Sequence, residues 1–439
     1  MRKTSTFLSA CFILLLNVST YGQWTSAPIS SGRVELAAAS TPTQALFAGG
    51  IGLVSIPPPA LDIYNNSTGT WNSGSISQGR NRLAGAAAGT WVMFAGGSYD
   101  WILQSMDAID IYHGATFSWS TATLSAGRTN LAGASAGSKI LFAGGEAPYA
   151  GLLFNTVDIY DTATALWTTA TLSIHRYGLC GAGAGNKIVF AGGTDHAGGY
   201  YNTVDIYDVT TNTWTTSTLS QGRAFCAAAA SGNKIYIGGG FSSATTVSKV
   251  VDIYDVTTNT WTVDSLSQAR TYLSAATVGD NVFFAGGSDA TVSAIYTTVD
   301  ILNTTSGTWT TTALTTARAM AAATSIDNKF IIAGGQGASP APLPNAEIYT
   351  MIVGLEEPAA QKMFSVFPNP ASDMATVRFI NLLPKGRMEI FDALGRSVYR
   401  TELNASNTEI SIPVSSFEKG CYMVRVSDGK QTMTGKFLK

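Results

Sequence analysis

The sequence predicts an all-β protein, with a closed ring of seven four-stranded sheets followed by a small C-terminal β-sandwich of the immunoglobulin-like type. Three observations support this prediction. A unit of 47 or 48 residues recurs seven times, 45 glycines and 10% aromatic residues favour short strands and turns, and the repeat stops near Gly354. With 26 basic against 28 acidic residues, the chain has no excess positive charge with which to bind nucleic acid or an anionic membrane.

The N-terminal residues have the features of a secretory signal peptide. Arg2 and Lys3 precede the apolar run Phe12–Leu16, and small residues lead to an expected cleavage after Gly22. The apolar run is shorter than the roughly 20 residues that a membrane-spanning helix needs. We therefore expect residues 1–22 to be removed and the protein to be exported without a transmembrane span.

Each repeat carries a tryptophan, an arginine and a Gly-Gly pair at constant spacing. A Gly-Gly pair begins at Gly49, Gly96, Gly144, Gly192, Gly239, Gly286 and Gly334. An arginine lies 16 residues before each pair, at Arg33, Arg80, Arg128, Arg176, Arg223, Arg270 and Arg318. A tryptophan lies nine residues before each arginine, at Trp24, Trp71, Trp119, Trp167, Trp214, Trp261 and Trp309.

The spacing divides each repeat into four strands, which we name a to d. Strand a follows the arginine and is rich in Ala and Gly, strand b is the apolar run before Gly-Gly, strand c is an Asp-Ile-Tyr element, and strand d begins at the tryptophan. Four strands in 40–50 residues are typical of a propeller blade. The repeats begin with a strand d at Trp24 and end with a strand c at Ala346–Tyr349, so these two strands should share a blade and close the ring.

This pattern resembles the kelch repeat, whose marks are an apolar strand, a Gly-Gly pair, and a Tyr followed by a Trp after a short turn. The resemblance runs from residue 24 to about residue 350 and implies a seven-bladed propeller over residues 23–352. It also implies that arginines at this register line the mouth of the central channel.

A second resemblance covers the C-terminal part of the chain, where charge density more than doubles. After a linker at residues 353–362, residues 363–439 resemble the type A sorting domain of the type IX secretion system in Bacteroidetes. The matching positions include Pro368, Asn369, Pro370, Asp373, Gly395, Arg396, Gly420 and Tyr422. The resemblance implies Sec-dependent passage to the periplasm, handling by the type IX machinery, and removal of this domain at the cell surface. A plain immunoglobulin-like accessory domain is the alternative.

A binding face is predicted where the d–a connections and the b–c loops emerge together. All length variation among the repeats lies in the b–c loops, and variable loops on a rigid scaffold are where binding is usually built. These loops carry Tyr99, Trp101, Tyr200 and Tyr201, among other aromatic residues. We expect a glycan ligand there, because flat aromatic rings stack on sugars; a protein-binding adhesin or matrix protein is the second alternative.

The seven arginines allow two interpretations. A ring of guanidinium groups at the channel mouth could bind carboxylate, sulfate or phosphate through forked hydrogen bonds. Alternatively, each arginine could brace the backbone of neighbouring blades, since a feature that every blade shares is more often structural.

The fourth repeat departs most from the pattern. His175 and Tyr177 flank its arginine, and His196 lies in its b–c loop near Tyr200 and Tyr201. A metal site needs three or four converging ligands, so we expect an aromatic and polar sugar-binding patch here, without metal or cofactor.

Catalysis has little support in the sequence. No Gly-x-Ser-x-Gly elbow between a strand and a helix is predicted, because the one run with that spacing, Gly133–Gly137, belongs to the Ala- and Gly-rich strand a of its repeat; the Gly-Gly pairs likewise lack the strand–helix setting of a phosphate-binding loop. If the protein is an enzyme, the alternative is a sugar mutarotase similar to those with kelch propellers. General acid–base catalysis at an anomeric carbon needs only a few polar groups.

The cysteines are expected to be free. Cys180 lies four residues after its arginine, whereas Cys226 lies three after its own. Residues at these two offsets point to opposite faces of a strand, which argues against a disulfide and favours buried free thiols.

Overall fold

In the computed structural model of the chain, residues 23–53, 56–99, 104–351, 364–379, 385–392, 395–404, 408–427 and 432–439 are described. The chain divides into two compact units, Met1–Ile352 and Val353–Lys439. The predicted signal peptide (residues 1–22) and linker (residues 353–362) lie outside the described residues.

The first unit is a β-propeller in which seven four-stranded antiparallel sheets form the blades. The chain enters through β1 (Gln23–Pro28), which belongs to the last blade. Blade 1 consists of β2 (Ala37–Ser40), β3 (Gln44–Ala48), β4 (Ala60–Asn65) and β5 (Thr70–Ser75). Blade 2 consists of β6 (Ala84–Ala88), β7 (Trp91–Ala95), β8 (Ala108–His113) and β9 (Ser118–Thr123).

Blades 3 and 5 each carry an extra two-stranded hairpin in the b–c loop. Blade 3 contains β10 (Ala132–Ala136), β11 (Lys139–Ala143), the hairpin β12 (Glu146–Ala147) and β13 (Leu152–Leu153) around a 3-10 turn at Pro148–Ala150, then β14 (Thr156–Asp161) and β15 (Leu166–Thr171). Blade 4 contains β16 (Cys180–Ala184), β17 (Lys187–Ala191), β18 (Thr203–Asp208) and β19 (Thr213–Thr218). Blade 5 contains β20 (Ala227–Ser231), β21 (Lys234–Gly238), the hairpin β22 (Phe241–Ser243) and β23 (Thr246–Val247), then β24 (Val250–Asp255) and β25 (Thr260–Ser265).

The last two blades complete the ring. Blade 6 contains β26 (Ser274–Val278), β27 (Asn281–Ala285), β28 (Thr298–Asn303) and β29 (Thr308–Ala313). Blade 7 contains β30 (Ala322–Ile326), β31 (Lys329–Ala333), β32 (Asn345–Thr350) and, outermost, β1. Trp24 of β1 lies opposite Tyr349 of β32, with ring centroids 5.0 Å apart. The prediction that the first and last strands share a blade is therefore confirmed.

The core of the propeller lies between neighbouring blades. Apolar side chains of strand b are fully buried, and Leu46 and Leu61 of blade 1 pack with Val92 and Phe94 of blade 2. Close to the axis, where strands a converge, small residues prevent clashes: a Cβ on Gly183 would lie 1.9 Å from the carbonyl oxygen of Ser135. The Ala and Gly content of strand a follows from this crowding.

The Gly-Gly pairs connect each blade to the next. The second glycine donates its N–H to the arginine carbonyl of the following blade, as from Gly50 to Arg80 at 2.9 Å and from Gly335 back to Arg33 at 2.8 Å. A Cβ on Gly49 would lie 2.4 Å from the Arg80 oxygen, and its φ is +67°. Both the backbone conformation and the close approach therefore require glycine.

The structure places the two cysteines in contact, which the argument from strand faces did not predict. Cys180 of blade 4 and Cys226 of blade 5 are buried, as expected, but their sulfur atoms are 2.8 Å apart. The argument from opposite faces was wrong because neighbouring blades pack face to face. A side chain on one face of a blade therefore meets a side chain on the opposite face of the next.

The second unit consists of two antiparallel sheets that share one core. One contains β33 (Phe364–Phe367), β34 (Met374–Phe379) and β37 (Glu409–Pro413), and the other contains β35 (Lys385–Phe391), β36 (Ser397–Asn404), β38 (Cys421–Ser427) and β39 (Thr432–Leu438). Val377 of the first sheet and Ile390 and Val424 of the second are fully buried in the shared core.

Candidate ligand-binding site at the channel mouth

The seven repeat arginines are completely buried. Each guanidinium group binds the acidic residue of strand c in its own blade, at 2.6 Å from Arg128 to Asp158 and at 2.6 Å from Arg318 to Glu347. The remaining pairs are Arg33–Asp62, Arg80–Asp110, Arg176–Asp205, Arg223–Asp252 and Arg270–Asp300. Burial lowers the pKa of Arg128, and the charge of Asp158 partly offsets that effect.

The same carboxylates hold the chain where it enters each blade. Asp158 accepts a hydrogen bond from the backbone N–H of Ser125 at 3.0 Å through its other oxygen, and Arg128 donates to the carbonyl of Phe142 at 3.1 Å. The arrangement supports the bracing interpretation of the arginines. Their hypothesised role as a ligand-binding ring needs correction, because a fully buried guanidinium group offers a ligand no surface.

The channel mouth is instead lined by the residue two positions after each arginine. These seven residues are Glu35, Arg82, Asn130, Gly178, Phe225, Tyr272 and Met320. All seven adopt a left-handed backbone conformation, with φ between +53° and +63°. Backbone hydrogen bonds join them in succession, as from Arg82 N to Glu35 O at 2.9 Å and from Glu35 N to Met320 O at 3.0 Å. We call this set the rim.

The rim surrounds a cavity of about 740 Å³ to which all seven blades contribute. Its floor is formed by the residues that follow the rim positions: Leu36, Leu83, Leu131, Leu179, Cys226, Leu273 and Ala321. Left-handed conformations cost non-glycine residues free energy and cluster at functional sites. Six of the seven rim positions carry such residues, which points to this cavity as the functional site.

One wall of the cavity is polar and hydrogen-bonded. Glu35 accepts from Arg82 Nε at 2.9 Å. Glu146 accepts from Asn130 Nδ2 at 2.7 Å and lies 2.8 Å from His196 Nε2. Burial opposes the charge of Arg82, but the carboxylates of Glu35 and Glu146 outweigh it and raise the pKa. Each charged group on this wall therefore already contacts a polar or charged side chain of the protein itself.

The facing wall is aromatic. Phe225 packs against Tyr272, with ring centroids 5.3 Å apart, and Tyr177 lies 6.0 Å from Phe225 and 5.5 Å from the His196 ring. Phe241 of β22 supports Phe225 and Tyr272 from behind. Burial raises the pKa of Tyr177 and Tyr272, so both keep their hydroxyl protons at neutral pH.

A short loop of blade 4 holds His196 over the cavity. Asp195 accepts hydrogen bonds from the backbone N–H groups of Ala197 and Gly199 at 2.9 and 2.7 Å, and from the Tyr201 hydroxyl at 2.6 Å. These bonds lower the pKa of Asp195, with the Tyr201 hydroxyl as the largest cause. Asp195 thus organises the loop and leaves His196 free to face Glu146.

The candidate residues from the sequence separate into two groups. Tyr177 and His196 line the cavity, whereas Tyr200, Tyr201 and the exposed His175 do not. Tyr99 is exposed away from the cavity, and Trp101 lies outside the described residues. Within the described residues, no three His, Cys, Asp or Glu side chains converge as a metal site would require.

The rim residues were not predicted from the sequence, although the sequence marks their position. The position two after the invariant arginine holds a different amino acid in every repeat. Glu146 was also overlooked; it lies two residues after the first glycine of its pair, where the other repeats have Ile, Ser, Thr, Phe or Gln.

In the C-terminal unit, several of the predicted sorting positions meet at the end of the last strand. Asn369, between Pro368 and Pro370, accepts from Leu438 N at 2.9 Å, and Gly420 exchanges two backbone hydrogen bonds with Lys439.

The other predicted sorting positions shape the turns of this unit. Tyr422 stacks on Phe437 at 5.5 Å, and Arg396 binds Asp392 around the turn at Gly395. Asp373 accepts from Val414 N through its carbonyl oxygen.

Comparison with known protein families agrees with this division of the chain. Residues 130–335 match the KLHDC2/KLHL20/DRC7 Kelch-repeats domain, and residues 365–439 match the secretion system C-terminal sorting domain. The chain contains a Kelch-repeat domain and a type IX sorting domain. The sorting domain indicates secretion and attachment at the cell surface.

The Kelch-repeat domain is also similar to solved structures. One, described as the structure of YjhT, aligns with a TM-score of 0.50 and 17% sequence identity over 61% of this chain and 93% of that one. At this identity the similarity concerns the fold alone. No curated protein matches the chain. None of the helical segments in the described residues has the length and apolar character of a membrane span.

Proposed function

We propose that the Kelch-repeat domain binds a glycan at the cell surface, and that a sugar ring without net charge occupies the channel-mouth cavity. The main support for the proposal is that two walls of different chemistry face each other across the cavity. An aromatic wall of Tyr177, Phe225 and Tyr272 faces a wall of carboxylate, amide and guanidinium groups. A sugar presents C–H groups on its faces and hydroxyl groups around its edge, and aromatic ring faces attract the positively polarised C–H groups.

Charge and volume support a neutral ligand of small size. Glu35 is already paired with Arg82, and Glu146 with Asn130 and His196, so a neutral ligand adds hydrogen bonds without leaving a buried charge unpaired. The cavity volume lies within the range of small-molecule sites, about 300–1,000 Å³.

A glycan array tests the proposal. The exported protein is applied at low and at physiological salt, together with Tyr272→Ala and the control Tyr149→Ala, whose side chain is 81% exposed outside the cavity. We expect neutral glycans to bind, with affinity reduced about tenfold by Tyr272→Ala and unchanged by Tyr149→Ala. No glycan binding by folded protein would contradict the proposal and favour the protein-binding alternative. Binding that falls mainly with salt would identify an anionic ligand.

A second candidate function, sugar mutarotation, is favoured by the contact of His196 with Glu146 inside the cavity. An imidazole beside a carboxylate supplies a proton donor and an acceptor, which ring opening at an anomeric carbon requires. The test is NMR of freshly dissolved sugars with and without the protein. Accelerated exchange of anomers that is lost in Glu146→Gln supports catalysis, and unchanged exchange with a sugar that binds rejects it.

A further inference from the structure

Cys180 and Cys226 meet beneath the rim, on neighbouring blades. Cys180 is the first residue of β16 and Cys226 directly precedes β20, and the two innermost strands pack against each other. Their sulfur atoms are 2.8 Å apart and buried. We propose that these thiols form a disulfide bond in the exported protein, which links blades 4 and 5 below the cavity. A bonded pair needs about 2.05 Å, so the sulfurs have less than about 1 Å to move.

Each of the two cysteines replaces the residue that most other repeats have at the same position. The position three after the arginine is leucine in five blades, and Cys226 replaces it in blade 5. The position four after the arginine is alanine in five blades, and Cys180 replaces it in blade 4. The two replacements involve different repeat positions, yet they place their sulfur atoms in contact because neighbouring blades pack face to face. A lone buried cysteine would serve as a small apolar residue, whereas a paired replacement points to a bond.

The route of the protein supplies the oxidising conditions. The sorting domain indicates secretion, and secreted proteins pass through compartments where disulfides form and persist.

The reaction requires a disulfide-carrying oxidoreductase as the oxidant. The thiolate of either cysteine attacks one sulfur of the donor disulfide and forms a mixed disulfide, releasing one donor thiolate. The thiolate of the other cysteine then attacks the sulfur of the first and displaces the second donor thiolate. The cysteines lose two protons and two electrons, and the donor leaves as a dithiol. Because the folded pair is buried, this exchange takes place before blades 4 and 5 close on each other.

The bond would also act on the cavity. Cys226 belongs to its floor and follows Phe225 of the aromatic wall. Cys180 follows Gly178 and Leu179, which line the cavity from blade 4. A covalent link at this point fixes the distance between the two blades that carry Tyr177 and Phe225.

Peptide mapping tests the proposal on the wild-type protein. Exported protein is denatured, alkylated without reduction and digested with trypsin. We expect the peptides 177–187 and 224–234 to be recovered as one cross-linked species that separates on reduction. Recovery of both peptides as alkylated, unlinked species from folded exported protein would overturn the proposal.

A stability measurement provides a second readout. The double variant Cys180→Ala/Cys226→Leu restores the residues of the other repeats. A loop of 46 residues closed by a disulfide corresponds to a decrease of about 6 °C in Tm when the bond is removed. The Tm of wild type should fall by a similar amount when it is unfolded in reductant, whereas the double variant should not respond. Equal Tm values for wild type with and without reductant would contradict a disulfide.

Discussion

His196 Nε2 lies 2.8 Å from Glu146 Oε2, although the two residues come from the b–c loops of different blades. The contact crosses the boundary between blades 3 and 4 above the cavity floor. The side chain of Glu146 is 7% exposed, whereas that of His196 is 39% exposed. Of the two, only the histidine presents substantial surface to solvent and to an incoming ligand.

The first prediction uses the two histidines of blade 4 as a matched pair. Loss of a hydrogen bond to a ligand costs about 0.5–1.5 kcal/mol, or more when the bond involves a charged group. His196→Ala should therefore weaken glycan binding about tenfold. His175→Ala should leave it unchanged, because His175 is exposed outside the cavity. Titration calorimetry with the best glycan from the array measures both, and equal effects of the two substitutions would argue against the site.

The second prediction concerns the buried ion pairs. Arg128→Met leaves the carboxylate of Asp158 buried without its partner and should cost about 3–5 kcal/mol of unfolding free energy. The double variant Arg128→Met/Asp158→Leu removes both charges and should recover much of that loss. Chemical denaturation of the three proteins checks this. A double variant as unstable as the single one would show that the pair matters for packing and not for charge.

The third prediction concerns acid stability on the face opposite the cavity. A hydrogen bond from Lys187 lowers the pKa of Asp208 from 3.8 to about 2, and one from Lys139 does the same for Asp161. A lowered carboxylate pKa means that the pair stabilises the fold above about pH 4 and that this stabilisation is lost as pH falls to about 2. The Tm difference between wild type and Lys187→Met should thus be constant from neutral pH to about pH 5 and disappear near pH 2. The exposed Lys249→Met is the control, and a difference that persists at pH 2 would refute the assignment.

The fourth prediction concerns closure of the ring. Deletion of residues 23–28 removes β1 and exposes the edge of β32, so the protein should lose thermal stability and associate through the free edge. Light scattering coupled to gel filtration detects the association. Trp119→Ala removes an equivalent Trp–Tyr contact, at 4.9 Å, without opening a blade, and should remain monodisperse. Association of both variants would mean that edge exposure is not the cause.

The fifth prediction concerns the sorting domain. Asn369→Ala removes the acceptor for Leu438 N and should increase hydrogen exchange in residues 432–439 about tenfold, with reduced display of the protein at the cell surface. Thr376→Ala, on the exposed side of the same domain, is the matched control. Hydrogen exchange mass spectrometry and surface proteolysis give the two readouts. Normal exchange in Asn369→Ala would show that this contact does not hold the last strand.

The propeller could be predicted from the sequence because its geometry repeats. Trp, Arg and Gly-Gly keep constant spacing since each occupies a position that every blade needs: the Trp24 contact with Tyr349, the Arg128 pair with Asp158, and the approach of Gly49 to Arg80. Both resemblances stated from the sequence are confirmed by the matching domain families. The order of strands a to d in each blade could be predicted from the constant spacing of these residues.

The site could not be predicted in the same way. Periodicity places an arginine at the start of strand a, but it does not tell whether the side chain enters the channel or turns back into the blade. Left-handed backbone is unusual for Phe225, Tyr272 and Met320, so no propensity indicates their conformation. The contact of Cys180 with Cys226 depends on how neighbouring sheets face each other, which the pattern within one strand does not contain.

The hydrogen-bonded rim has a consequence for how such a protein diversifies. Its bonds run through main-chain atoms, and the left-handed turn is held whether the residue is Glu35, Asn130, Gly178 or Tyr272. The scaffold therefore accepts substitutions at these positions while the polypeptide path stays constant. New ligand preferences become accessible by single amino-acid exchanges, without insertions or loop remodelling.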